Sequence, residues 1–216
     1  MMALVLLEAK VAMRRAAWPV ALALYAGTGA LFLGVWGATS GIPLWRATIL
    51  DQLAAADRVT MSIVFTWLCG YVLSDGPDGS RQCAEWSALT GRPPETVFRA
   101  RVGGAAILSF ICTVAAVPTS VAAAIESAAT ASHITAHLAG TAAFGLFCVG
   151  TSAIASVAFQ RRITAWASAM VAGTIGAVGV HLLHSTAFRI GAPSATGALG
   201  ILAATAIVRR RFSRAA

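Results

Sequence analysis

Residues 16–45 read AAWPVALALYAGTGALFLGVWGATSGIPLW, a stretch without a single Asp, Glu, Lys or Arg side chain. A helix needs about 20 predominantly apolar residues to cross the hydrocarbon core of a bilayer, so this stretch is long enough. Trp18 and Trp36 are 18 positions apart, which corresponds to roughly 27 Å along a helix. Tryptophan is enriched at both interfaces of a membrane. The stretch therefore predicts a transmembrane helix.

The whole chain has the composition of a membrane protein. Of its 216 residues, 58% are hydrophobic and 11% are charged. A soluble domain is closer to about 45–50% apolar and about 25% charged. A compact soluble domain of this size has too little interior to bury so much apolar surface. Composition therefore excludes an ordinary soluble enzyme, a disordered chain and a secreted disulfide scaffold.

Six uncharged runs divide the chain, at residues 16–45, 59–74, 102–125, 127–160, 163–188 and 190–208. They predict an all-α polytopic membrane protein with six transmembrane helices in a single domain. The predicted spans lie at about 17–38, 55–74, 100–125, 135–159, 163–184 and 191–208. The run at 59–74 is short, so we expect that helix to begin further upstream, with Arg58 snorkelling to the interface.

The distribution of cations predicts the topology. With both termini in the cytoplasm, thirteen of the 16 Lys and Arg residues fall on the inner side and three on the outer side. Positive charge accumulates on the cytoplasmic side of membrane proteins. The net charge of +8 therefore reflects orientation in a cell (inner or plasma) membrane, and no nucleic-acid partner is expected. Three of the four cysteines lie in apolar segments and none forms a CxxC pair, so we expect free thiols.

Residues 1–15 predict an amphipathic helix that lies on the inner membrane surface before the first span. Leu4, Leu7 and Val11 share one face of this helix. A frayed terminus is the alternative. The charged residues of the predicted interfacial helix are Glu8, Lys10, Arg14 and Arg15.

The segment at about residues 75–99 joins the second and third spans on the cytoplasmic side. Its sequence around this region is SDGPDGSRQCAEWSALTGRPPETVFRAR (74–101), in which turn residues precede a short helix over 81–90. Gly91 suits the end of that helix, Pro93 prevents its continuation, and Pro94 can open the next helix. Such a rigid short helix can dock into a groove of a soluble partner, or it can simply reconnect two spans.

These features resemble one family. A helix of the form LLEAKVAMRR, six spans, and a loop of the form EWSALTGRPPETVFRARV resemble the permease subunit of type-2 ABC exporters. The resemblance implies that the loop helix couples to a cytosolic ABC ATPase subunit, which binds the ATP, and that a second permease copy or a homologous permease completes the pathway. It implies the coupling role for Arg81, Glu85, Trp86, Leu89, Gly91 and Arg92.

Several kinds of chemistry are missing from the sequence. It has no GxxxxGK[ST] phosphate loop and no HExxH motif, and Asp75 and Asp78 lack the further carboxylates of a magnesium site. We therefore expect no catalytic residue, no enzyme activity, and no metal or cofactor bound directly by this chain. No ionisable residue is expected deep in the spans, which argues against a proton or sodium antiporter and favours an apolar or amphipathic cargo.

Four histidines form two pairs at helical spacing. His133 and His137 are four positions apart, and His181 and His184 are three apart, all at predicted outer ends of spans. Together with Glu126 they can form an outer gate or a metal site, or they can be ordinary interfacial residues. The alternatives to the exporter subunit are a six-span accessory or assembly protein and a metal-linked transporter that uses these histidines.

Two further patterns concern helix packing. Gly173, Gly176 and Gly179 recur every third residue, and we expect them to pack within the chain rather than to form a dimer surface. Pro118 is expected to kink the third span, because proline removes a backbone donor.

Overall fold

A computed structural model of the chain describes residues 2–14, 17–39, 49–66, 87–159, 161–182 and 185–213. Over these residues the chain is helical, with turns between helices and no strand, which confirms the all-α class for this part. The elements in chain order are α1 (Met2–Met13), α2 (Ala17–Thr39), α3 (Ile49–Thr60), a π-helical turn (Met61–Phe65), α4 (Pro94–Ala115), α5 (Val117–Ser127), α6 (Ala131–Ala158), α7 (Arg162–Leu182) and α8 (Thr186–Ser213).

Four helical stretches are long and apolar enough to cross a membrane, which is compatible with a multi-pass protein. They are Pro94–Ile125, Ala131–Ala158, Ile163–Val180 and Thr186–Arg211, with 32, 28, 18 and 26 residues. Each of them overlaps one of the predicted spans three to six. Helix α2 has 23 residues and coincides with the predicted first span. Residues 67–86, which include the last part of the predicted second span and much of the coupling loop, lie outside the described residues. Six spans therefore stay a prediction.

The third predicted span bends at Ala116. This residue separates α4 from α5 with φ −79° and ψ −11°, and Pro118 lies in the first turn of α5. Proline has no N–H with which to continue the helical ladder. The break therefore falls where Pro118 predicts it.

Helix α6 is the central element of the bundle. Of its most apolar window, 67% is buried within the chain, compared with 28% in the windows of α7 and α8. Its closest neighbour is α8, because the two backbones approach each other directly at glycines. A Cβ atom added to Gly150 would lie 2.8 Å from the Cα of Gly197, and one added to Gly200 would lie 3.0 Å from the Gly150 carbonyl oxygen. Glycine is required here because any side chain would separate the helices.

The repeated glycines of α7 also pack mainly inside the chain. A Cβ on Gly173 would lie 3.1 Å from the Cβ of Ser62 in the π-helical turn, and one on Gly176 would overlap the ring of Phe147. At Gly179 the space is open. Two of the three glycines thus have the expected role of allowing close packing within the chain.

The N-terminal helix packs across the start of α4. A Cβ on Gly103 would lie 3.0 Å from Val5, and one on Gly104 would lie 3.2 Å from the backbone nitrogen of Ala9. Next to these glycines, Glu8 Oε1 lies 3.8 Å from Arg101 Nε, and both side chains are largely buried. The opposite side of α1 exposes its large apolar residues. An in-plane position on the membrane surface stays a prediction.

Candidate functional site

The described part of the predicted coupling loop is a tight, exposed turn, which we call the docking turn (residues 87–93). Residues 87–90 are helical, and Gly91 ends this helix with φ +63°, in the left-handed region that favours glycine. The Ser87 hydroxyl donates to the carbonyl oxygen of Arg92 at 2.5 Å. The Leu89 side chain is 82% exposed. An aliphatic side chain held this far out on a closed turn is suited to insertion into a partner's pocket.

The docking turn leads directly into the bundle. Pro94 opens α4, as the sequence predicts, with Pro93 at the N-cap position and Glu95 in the first turn. About two helical turns later, Arg101 meets Glu8 of α1. The docking turn is therefore followed directly by α4, and α4 packs against α1. Of the predicted coupling residues, Leu89, Gly91 and Arg92 lie in this turn, whereas Arg81, Glu85 and Trp86 lie outside the described residues.

At the other end of the α4–α5 stretch, the turn at residues 128–130 connects α5 to α6. Ala128 adopts φ 52°, an uncommon conformation for a residue other than glycine. His133 belongs to this turn, because its Nδ1 lies 2.8 Å from the Thr130 hydroxyl and 3.4 Å from the Thr130 backbone nitrogen. His133 thus closes the capping box of α6.

His137 has a different environment one turn further along α6. It is only 9% exposed, and its Nε2 lies 3.2 Å from Asp57 Oδ2 of α3. Asp57 and Arg58 are themselves 4% and 6% exposed. The helices of the bundle therefore enclose the Arg58 side chain, and its snorkelling to the interface stays a prediction.

The pair Asp57–His137 also changes the expectation about charge in the spans. Asp57 lies within the predicted second span, near its outer end, and is buried between helices. Ionisable residues enclosed in a membrane bundle are rare and usually functional. The Tyr25 hydroxyl is also buried, without a hydrogen-bond partner among the residues that the structure describes. Less than one helical turn after Arg58, α3 ends at Thr60 and the π-helical turn begins at Met61; π-helical turns are found frequently at functional sites.

The other residues of the predicted outer gate are not brought into this cluster. His181 lies in α7, with a side chain outside the described set, and His184 lies outside the described residues altogether. In the described part of the chain, no group of three or more His, Cys, Asp or Glu residues could hold a metal ion. Cys112 and Cys148 are buried free thiols.

Next to His137 lies a cavity of about 410 Å³ between α3, α6 and the start of α8, which we call the outer cavity. Pockets of about 300–1,000 Å³ are typical of small-molecule sites. Its polar lining combines two guanidinium groups with two imidazole groups, and its remaining lining is small or apolar. The lining residues are Leu50, Ala54, Arg58, Ala128, Ala129, His133, Ala136, His137, Gly140, Thr186, Arg189 and Ile190.

Sequence reasoning found His133 and His137 but missed Asp57, Arg58 and Arg189 as members of the same region. One signal was available for the first two. The uncharged run that follows them is too short to cross a membrane alone. A spanning helix must therefore begin before Asp57 and include both Asp57 and Arg58.

Searches of protein-family models, of curated proteins and of solved structures found no match to this chain.

Proposed function

We propose that the chain is the membrane-spanning permease subunit of an ATP-driven exporter similar to the type-2 ABC exporters. It would have six spans, both termini in the cytoplasm and the docking turn on the inner face. A separate cytosolic ATPase subunit would bind and hydrolyse ATP, and a second permease copy or a homologous permease would complete the pathway. The cargo would be apolar or amphipathic.

The observation that carries this proposal is the exposed Leu89 on the closed docking turn. Because Pro94 starts α4 immediately after the turn, a displacement of the turn has to move α4. Because α1 packs against Gly103 and Gly104 and places Glu8 beside Arg101, α1 has to move with α4. A force applied by a soluble partner at Leu89 would thus reach a membrane helix directly.

The proposal is tested by isolating the full chain from its native membranes in a mild detergent and identifying the proteins that co-purify. We expect a chain with a GxxxxGK[ST] phosphate loop, which this sequence lacks, and an ATPase activity that follows the complex through gel filtration. A chain that purifies without any ATPase would overturn the exporter proposal and favour the accessory-protein alternative.

Leu89→Glu is expected to weaken the binding of the ATPase subunit by about 2 kcal/mol or more, roughly thirtyfold in Kd, because it places a charge in a buried contact. The affinity of the purified subunits gives the measurement. Two variants serve as controls. Leu89→Met keeps the apolar contact, and Ala131→Glu adds the same charge at the exposed first residue of α6. Equal binding by Leu89→Glu and Leu89→Met would show that the docking turn is not the contact.

A further inference from the structure

The outer cavity has a cationic lining that the exporter proposal does not use. Arg58 comes from α3, His133 and His137 come from α6, and Arg189 comes from α8, so basic groups reach the cavity from three separate helices. None of the described lining residues is acidic. Among the carboxylates whose side chains the structure describes, that of Asp57 lies against His137 Nε2. The lining therefore favours an anion.

His137 gives a second indication of a ligand. Its imidazole is nine-tenths buried and lines the cavity, and its Nε2 lies 3.2 Å from Asp57 Oδ2. Neither ring nitrogen has a hydrogen-bond partner among the described residues, and both nitrogens are closed to solvent. Buried polar atoms in native proteins are nearly always paired, so this imidazole calls for a partner. A phosphate oxygen in the cavity can supply that partner once the ring turns toward it.

Arginine favours phosphate among the anions. A guanidinium carries five N–H donors in a planar fork that matches the oxygen geometry of a phosphate, and it can hold a protein contact and a phosphate oxygen at the same time. A metal cation would be repelled by the two guanidinium groups. The opposite wall, which includes Leu50, Ala54 and Ile190, is apolar, so the cavity can also accept the first carbons of an amphiphile.

We propose that the outer cavity is a binding site for a phosphate group, held by Arg58, Arg189 and His137 and carried either by an anionic lipid or by a free phosphate compound. The cavity is bordered by the turn at 128–130 and by the start of α8 at Thr186. Both are ends of apolar helices, which is where lipid headgroups lie. This proposal does not depend on the exporter proposal, because the site needs no ATPase.

The test uses the purified full chain in an uncharged maltoside detergent, without any ATPase. The probes are dioctanoyl phosphatidylglycerol, inorganic phosphate, and dioctanoylglycerol, which has the same acyl chains but no phosphate. We expect phosphatidylglycerol to bind at least about tenfold more tightly than dioctanoylglycerol, since a charge-assisted hydrogen bond is worth about one factor of ten or more. Inorganic phosphate that competes with the lipid identifies a free phosphate compound as a sufficient ligand. Inorganic phosphate that does not compete identifies the lipid as the source.

Two variants remove the site in different ways. Arg189→Gln removes a charge, and Gly140→Leu fills the cavity with a side chain. A Cβ at Gly140 meets nothing within 4 Å, so this second variant should fold. Both are expected to weaken phosphatidylglycerol binding at least about tenfold. Arg209→Gln, at an exposed position of α8, and Gly27→Leu, at an open position of α2, should bind as the unmodified chain does.

Two results would overturn the proposal. One is dioctanoylglycerol binding as tightly as phosphatidylglycerol, which would show that the phosphate is not recognised. The other is unchanged phosphatidylglycerol binding by folded Arg189→Gln and Gly140→Leu proteins, which would place the lipid elsewhere. Neither result bears on the exporter proposal, because that proposal is tested by whether an ATPase co-purifies with the chain.

Discussion

Gly150→Leu is expected to prevent the chain from reaching a folded, monodisperse state in detergent. A Cβ at this position would lie 2.8 Å from the Cα of Gly197 and 2.9 Å from its carbonyl carbon. The obstructing atoms belong to the backbone of α8, so no side-chain rotation relieves the overlap, and the helices would have to separate. Overpacking costs about 1–3 kcal/mol where side chains can adjust, and more where they cannot. Gel filtration and thermal unfolding give the measurement.

A matched control for this prediction lies on the same helix. Gly140→Leu introduces the same side chain into α6 at a position where a Cβ meets nothing within 4 Å. Removing a helical glycine is worth about 0.5–1 kcal/mol, so this variant should be at least as stable as the unmodified chain. Similar melting temperatures for the two variants would mean that α6 and α8 do not cross at Gly150.

Removing one member of the Asp57–His137 pair is expected to cost about 3–5 kcal/mol of folding free energy, because a buried ionisable group loses its partner. The two side chains are 4% and 9% exposed, so water cannot replace the contact. His137→Leu should be the more damaging of the two single changes. It leaves a buried carboxylate, whereas Asp57→Leu leaves an imidazole that is stable in its neutral form.

The double variant Asp57→Leu with His137→Leu distinguishes a lost pair from lost packing. Replacing a buried ion pair by apolar residues is often neutral or stabilising, so the double variant should recover most of the stability that His137→Leu loses. The melting temperatures of the four proteins form a double-mutant cycle. If the double variant is destabilised by the sum of the two single effects, Asp57 and His137 do not interact.

The long helices were predictable because their cause is local. An uncharged run such as 127–160 specifies a helix by its length and apolar character alone, and α6 (Ala131–Ala158) follows it closely. The break at Ala116 was predictable from Pro118 for the same reason, since a proline acts on its own helix. The end of the coupling helix at Gly91 likewise follows from a residue with unusual backbone freedom.

The partners of side chains were less predictable because they depend on how distant helices meet. The spacing of His133 and His137 predicts a shared face, and both do line the outer cavity. Spacing gives no indication that one ring caps a helix while the other meets Asp57. Arg58 was expected in the membrane interface because a long arginine side chain near the end of its own helix can extend toward the interface. Its burial depends on helices such as α6, which packs against α3 and appears much later in the chain.

The contact between Glu8 and Arg101 has a consequence for the biosynthesis of this protein. The ribosome synthesises Glu8 well before Arg101, because α2, α3 and the docking turn lie between them in the sequence. The surface of α1 that holds Val5 and Ala9 has no place to pack until Gly103 and Gly104 have been synthesised. Helix α1 is thus translated before α2 and α3 but can pack in its final place only after the start of α4 has been made. Until then, its apolar side must be sheltered by lipid or by the insertion machinery.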